Sequence, residues 1–434
     1  MTTASSPRQD RVPCLAPECA RHLMRSPSGP PCSASRSCPA ALPTRSPPGE
    51  PPPGRLPLPD PVGSAGYPRD MSSQPVRILD LFAGAGGLTA GFHLASPRVR
   101  SVAAVEMDPQ AAASYAATFE KADVFAGPIQ EWIERAEMPT DIDIVVGGPP
   151  CQGFSNLGKR DAEDKRNLLW RQYAEVLRRV QPRYFVVENV PAFGKSKQYE
   201  AFFAATLPGG FLQDYAFTHQ ILNSADYGAA QARKRTVIIG HHRDLETPGF
   251  PEATHAPEGS GDLPPYRTVR EALLGVPLKP DMDKRFNEVR TLVGNREVPG
   301  AFCIRELHWS RNYKRISVKR FKKIPEGGNR TNLPDDLKAP CWLKHTTGSM
   351  DVMGRLHWDR PSVTIRTEFF KPEKGRYLHP SENRAITHYE AALLQGFPET
   401  HRFVGSRTAI AKQIGNAVPV PLAKAIAEQL LVTL

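Results

Sequence analysis

Three kinds of reactive side chain stand at or beside the ends of short apolar runs in this chain. The first is a thiol, Cys151, in Gly147-Gly148-Pro149-Pro150-Cys151-Gln152-Gly153-Phe154-Ser155. The run before it, 141–146, is short and β-branched, and reads as a buried strand ended by Gly and Pro. Two glycines permit unusual backbone angles and two prolines fix φ, so 147–150 cannot be helix. The pattern predicts Cys151 on a stiff loop at the carboxyl end of a strand, where open α/β sheets bind ligands. A lone Cys is ordinarily a small buried apolar residue. A nucleophilic one needs a base, acid or cation nearby, because little of a free thiol is ionised at neutral pH. The second is a carboxylate, Glu188, which closes the apolar run of strand 183–190. Burying it unpaired is costly, so a carboxylate in this place is salt-bridged to a neighbouring Arg or serves a function. The third is a pair of guanidinium groups, Arg233 and Arg235, ahead of a strand at 236–240. At i and i+2 they share one face of an extended segment.

The elements that must position these groups read as an alternating β/α chain. Residues 77–82 form a first strand, 83–87 (Ala-Gly-Ala-Gly-Gly) a glycine turn, and a helix starts at 88–92. Strand, turn and helix make a cradle in which the backbone approaches a nucleotide-type ligand and the helix N-terminus faces it. Thr89 stands where a third glycine would complete the dinucleotide fingerprint, which counts against a dehydrogenase. A second strand, 101–106, ends on Glu106, 20 residues past Gly86, the spacing of an acid that accepts ribose hydroxyls. A third strand is expected at 122–126, a helix at 167–180 and another at 387–394, and an amphipathic helix at 422–431. From 251 to 360 periodicity weakens. There 311–323 holds seven Lys or Arg in thirteen residues, with Trp309, Tyr313 and Phe321 interleaved. Such a run in an irregular insert suits contact with a nucleic acid backbone through Arg311, Lys314, Arg315, Lys319 and Arg320. Gly327 and Gly328 suit a tight loop entering a groove.

Bulk properties agree. The chain has 434 residues, room for one large α/β domain and a smaller one, and a net charge of +11, which suits a polyanion. No apolar run approaches the ~18 residues of a membrane span. Seventeen of its 44 prolines fall in the first 70 residues, so 1–72 is expected to be a disordered tail. That tail contains Arg but no Lys, and Met71 stands six residues before the first strand. The native start is therefore expected at Met71, or the tail is dispensable. Cys14, Cys19, Cys32 and Cys38 in it match no zinc spacing. No metal site is expected.

The run Pro150-Cys151-Gln152-Gly153-Phe154-Ser155 resembles the catalytic motif of the DNA (cytosine-5) methyltransferases. The other motifs of that family follow in order over roughly 76–433. They include Asp80-x-Phe82-x-Gly84-x-Gly86, Glu188-Asn189-Val190, Gln231-x-Arg233-x-Arg235 and Gln413-x-Gly415-Asn416 with Val418. The resemblance implies an S-adenosylmethionine-dependent methyltransferase fold, α/β and Rossmann-like, with a mixed seven-stranded sheet and a smaller target-recognition domain. It implies a catalytic domain over 73–250, recognition over 251–360, and a support returning to the catalytic domain over 361–434. S-adenosyl-L-methionine would be held by Phe82, Gly84, Gly86, Glu106, Pro149, Leu169, Asn416 and Val418. Cys151, Glu188, Arg233 and Arg235 would carry the chemistry, with one of the two arginines near DNA phosphate and the other on the base. Ser155, Lys159 and Arg160 lie in a loop that the family closes over DNA. One departure stands out: Gly127-Pro128-Ile129 occupies the place of Gly-Asp-Ile, so the usual acidic contact to adenine must be replaced. The implied activity is methyl transfer to carbon 5 of a flipped cytosine in duplex DNA, by a monomeric bacterial enzyme in the cytoplasm paired with a restriction endonuclease. A transfer-RNA cytosine methyltransferase and a catalytically silent DNA-binding relative are the alternatives.

Overall fold

The computed structural model describes residues 74–134, 137–150, 169–280, 286, 288–344 and 350–434. The tail and its four cysteines, with the proposed start at Met71, lie outside the described residues, as do Cys151, Ser155, Lys159 and Arg160.

Short β-branched runs separated by amphipathic helices build one sheet. In chain order the elements begin β1 (Val76–Leu81), α1 (Gly87–Ala95), β2 (Val99–Glu106), α2 (Pro109–Thr118), β3 (Asp123–Ala126), α3 (Ile129–Glu134) and β4 (Ile144–Gly147). They continue with α4 (Leu169–Val180), β5 (Tyr184–Asn189), α5 (Lys197–Ala205), β6 (Tyr215–Asn223) and β7 (Lys234–His242). The seven strands lie in the order β3-β2-β1-β4-β5-β7-β6. Strands β1 to β5 pair in parallel, and β7 runs antiparallel to both β5 and β6. This is the mixed seven-stranded sheet that the motifs imply. The edge strand β6 lacks a clean apolar alternation, with four successive exposed residues from Thr218 to Ile221, so no period of two marks it in advance.

The two faces of the sheet follow from the period of two. Val76 and Ile78 point to one side, where they pack with Leu88 and Phe92 of α1 and with Leu422 and Ile426 of a C-terminal helix. Leu79 and Leu81 point to the other, against Trp132, Trp170, Tyr173 and Phe202 of α3, α4 and α5. The central strands are buried on both sides, hence their near-continuous apolar sequence.

Beyond the sheet come α6 (Val269–Ala272), β8 (Arg290–Val293), β9 (Arg296–Pro299), β10 (Phe302–Cys303), α7 (Arg315–Lys323), α8 (Pro340–Lys344), β11 (Gly354–Arg355) and β12 (Arg376–Leu378). Then follow α9 (His388–Gln395), β13 (Arg402–Phe403), α10 (Arg407–Asn416) and α11 (Val420–Leu431). A further apolar core joins 269–309, 356–403 and 410–420 to Ala85 and Ala90 of the glycine turn and α1. The basic run is not irregular: its second half is the nine-residue helix α7. Nor are its aromatics free to stack on bases. Trp309 and Phe321 are 5% and 1% exposed, and Tyr313 packs against Phe321. Gly327 and Gly328 form an anchored turn, whose carbonyls accept from Arg376 at 2.7 and 3.1 Å.

Helix α11 returns to α1, so the C-terminus completes the core. A Cβ on Gly91 would meet Ala423 Cβ and come within 2.6 Å of the Lys424 amide nitrogen. Alanine gains ~1 kcal/mol of helix propensity over glycine. Overpacking against another helix's backbone costs ~1–3 kcal/mol. Gly91→Ala is therefore expected to lower stability in urea denaturation, despite its better propensity.

Candidate active site

The carboxyl ends of β1, β2, β4 and β5 open onto a cleft of about 480 Å³. Its walls bring together Phe82, Gly84, Glu106, Pro149, Leu169, Asn416 and Val418 with Glu188, Arg233 and Arg235. Of the predicted cofactor residues only Gly86 is absent from the wall. It caps α1 at φ +85°, and a Cβ there would press on Phe119 and Tyr115, so packing and backbone angle require the glycine. Gly84, at φ +56°, faces open space. Phe82 lies at φ +58°, a left-handed conformation that a bulky side chain adopts only at a cost of order 1–3 kcal/mol. No sequence rule signals that strain.

Glu106 is clamped. The Gly84 amide donates to one carboxyl oxygen at 2.8 Å and the Asp108 amide to the other at 2.8 Å. Burial raises its pKa above the usual carboxylate value, and these amide bonds oppose the rise. Asp80, 1% exposed, accepts the Thr89 hydroxyl at 2.6 Å. Burial pushes its pKa up to about 7. Asp80 stands in the glycine-turn motif with no role implied for it there, yet it lines the cleft. Thr89, read only as a broken fingerprint, is the group that holds it.

The Glu188–Arg235 pair is set by the reversed strand. Glu188, next to last in β5, lies opposite Val237 of β7, which puts Arg235 on the same face one diagonal step away. Arg235 Nε lies 2.6 Å from Glu188 Oε1, with the two side chains 13% and 11% exposed. The contact is off-axis, an ion pair rather than an aligned hydrogen bond, for that carboxyl oxygen makes no well-directed bond. Asn189 donates its side-chain amide to the Pro149 carbonyl at 3.0 Å, tying the loop after β4 to the end of β5. A Cβ on Gly148 would crowd the Glu188 carboxyl oxygen at 3.2 Å.

Arg233 is placed otherwise than expected. It is 3% exposed and donates from Nη1 to the carbonyls of Ile365 at 2.9 Å and Gly415 at 3.0 Å. A guanidinium spent on buried backbone does not fit a phosphate contact. The basic residues Arg311, Lys314, Arg315 and Lys319 are exposed on and before α7, outside the cleft wall. Arg320 is half-buried, donating to the Leu337 carbonyl at 2.7 Å and covering Trp342. At the departure from the family pattern, Pro128 does line the cleft, but its carbonyl accepts from Glu131 at 3.1 Å in the first turn of α3. Gln130 is the polar side chain beside it on the same wall. Among the described residues no cluster of His, Cys, Asp and Glu could hold a metal.

A parallel sheet with one reversed strand, a glycine cradle and a clamped acid at the second strand's end define the class: an α/β methyltransferase fold. The family model for C-5 cytosine-specific DNA methylase matches residues 76–432. The chain belongs to that family, and is an S-adenosylmethionine-dependent enzyme that methylates cytosine in DNA at carbon 5. It is 31% identical over 366 residues to the Type II methyltransferase M1.HphI of Haemophilus parahaemolyticus, covering 81% of this chain and 86% of the relative. It is 33% identical over 381 residues to M.XorII of Xanthomonas oryzae pv. oryzae, covering 83% and 85%. A crystal structure of a DNA modification methyltransferase encoded within an E. coli prophage shares the fold at TM-score 0.59 and 24% identity, covering 82% of this chain and 99% of that one. The family model and the two Type II relatives carry the DNA-directed reading rather than the transfer-RNA one.

Asp80 gives a test of the apo protein. Its folded pKa stands above its unfolded value of 3.8, so its contribution to stability is full below about 4 and lost as pH rises through about 7. Asp80→Asn is expected to gain thermal stability relative to wild type on going from pH 4 to pH 8, with no such gain below pH 4.

Proposed function

We propose that the described cleft serves both the methyl donor and a cytosine extruded from duplex DNA, and that Cys151 forms a transient bond to that base. The observation that carries this is the Glu188–Arg235 ion pair, which shares one cleft with the glycine turn and Glu106. The cleft fits the donor. Its volume of about 480 Å³ falls in the range of small-molecule sites, ~300–1,000 Å³. Glu106 accepts ribose hydroxyls with the lone pairs its two amide bonds leave free. Phe82, Leu169 and Val418 supply apolar contact, and Gly84 lets the backbone approach. Gln130 takes the adenine contact that Pro128 cannot make. Bound there, S-adenosyl-L-methionine supplies an electrophilic methyl group on a sulfonium.

The chain's own residues do the rest. Carbon 5 of cytosine is a weak nucleophile. The Cys151 thiolate adds to carbon 6, breaking the ring's aromaticity and making carbon 5 enamine-like. Charge moves onto N3 and O2, where Glu188 shares a proton at N3 and Arg235 donates at O2. Carbon 5 is methylated, a base removes its proton, the electron pair re-forms the ring double bond, and the thiolate leaves. The stacked base must first flip out, at a cost of a few kcal/mol. Contacts from Lys159, Arg160 and the exposed cations of α7 offset that cost. Residues 251–360 read the target and 361–434 support them. Pairing with a restriction endonuclease fits relatives named as Type II enzymes. Among the described residues no helix is long and apolar enough to cross a membrane.

Cys151→Ala is expected to bind duplex DNA and transfer no methyl group, and DNA carrying 5-fluorocytosine is expected to trap a permanent adduct with the unaltered protein. Methyl transfer by that variant in a bisulfite-sequencing assay would exclude the covalent step. Lys319→Gln is expected to weaken binding to all duplexes alike and to lower the log–log salt slope by about 1.

A further inference from the structure

Behind the ion pair lies a buried polar relay that methyl transfer itself does not call for. Gln231 Oε1 accepts the Ile365 amide at 2.7 Å, and its Nε2 donates to Gln395 Oε1 at 2.7 Å. Gln395 Nε2 donates in turn to the Ile414 carbonyl at 2.5 Å. Two residues beyond Gln231, Arg233 holds the carbonyls of Ile365 and Gly415, with Nη2 3.5 Å from the Asn416 carbonyl. Gln231 and Gln395 are fully buried and Arg233 nearly so.

The acceptors explain the arrangement. Ile414, Gly415 and Asn416 are the last three residues of α10, and a helix leaves its final carbonyls without partners. Gln395 and Arg233 meet them from outside, and a cation is favoured at a helix C-terminus. The helix end and the two residues after it, Asn416 to Val418, form the cofactor wall. The same guanidinium grips Ile365, and two residues further on the chain presents Arg235 to Glu188. A buried guanidinium is expensive unless its donors are met. Burial, with Arg235 alongside, pulls its pKa down to about 9, which leaves it cationic at neutral pH.

We propose that Arg233 is a positioning residue that caps α10 and fixes the Asn416–Val418 wall in register with the Glu188–Arg235 pair, touching neither DNA nor the base. The proposal rests on the functional reading above. It differs from a DNA contact in what it moves, namely cofactor affinity rather than DNA affinity.

The test uses the full-length protein with Arg233→Met and Arg233→Lys. S-adenosylhomocysteine binding is read by calorimetry, and sheared genomic duplex DNA binding is read across salt concentrations. Losing two charge-assisted bonds at the cap is expected to weaken S-adenosylhomocysteine binding by about tenfold or more in Arg233→Met. DNA affinity and its salt slope are expected to stay at the wild-type values. Arg233→Lys, which can still meet one carbonyl, is expected to fall between, and it carries the test if the Met variant does not fold. Wild-type cofactor affinity in either folded variant would overturn the proposal. So would weaker DNA binding with a shallower salt slope and cofactor binding intact. A wild-type protein that binds S-adenosylhomocysteine but methylates no cytosine would sink the functional reading alone, and the Arg233 comparison would still be decided by binding.

Discussion

The site depends on one strand running against the others. Parallel strands deliver their carboxyl ends to a single edge, which is why Glu106, Pro149 and Glu188 arrive together. An arginine ahead of a parallel strand would emerge at the opposite edge. Because β7 is antiparallel, its amino end meets the carboxyl end of β5, and Arg235 faces Glu188 at 2.6 Å. A carboxylate and a guanidinium, each close to nine-tenths buried, are then each other's main compensation for lost water. Neither charge could be held at that edge without the other.

The same logic governs the remaining charges at the edge. Glu106 is held by two backbone amides, so its orientation is fixed by the glycine turn and the first turn beyond β2 rather than by a counter-ion. Asp80 has a hydroxyl and, among the described residues, no cation as its partner, and burial raises its pKa to about 7. Three carboxyl groups on one cleft thus have three different environments: an ion pair, an amide clamp and a hydroxyl contact. Environments that differ in this way let groups of one chemical type take separate roles in one reaction.

The region after the sheet is built differently. Its basic residues sit on a helix whose apolar positions serve a small core of Phe321, Ile324, Leu333, Met353 and Leu378. The interleaved aromatics are structural, and only the cations face outward. Helix α9 joins that region to the cleft edge of the sheet. Its first turn is secured by the Thr387–Glu390 capping box and by Arg384 on Glu390 at 2.7 Å. Its last residue is Gln395, in the relay beneath the ion pair.

Much of this was legible without coordinates. Strand ends, the glycine turn, the acid after β2 and the order of motifs depend on local rules of period, turn chemistry and spacing. Those rules placed Glu106 and Glu188 at the ends of strands, whereas Arg235 meets Glu188 only because β7 is antiparallel. Long-range packing decided the rest. Arg233 and Arg235 share a sequence motif, but one is buried among carbonyls from 365 and 415 and the other pairs with Glu188, and nothing within five residues distinguishes them. Likewise Gly84 and Gly86 look equivalent, yet only the first faces the cleft, because Phe119 and Tyr115 fill the space behind the second. Sequence by itself determined which carboxylates end strands and where the glycine turn falls, since period, turn chemistry and spacing are written locally. Only the tertiary structure decided that β7 runs antiparallel and which way each side chain points, because that depends on neighbours distant in the chain, 132 and 182 residues away for Arg233.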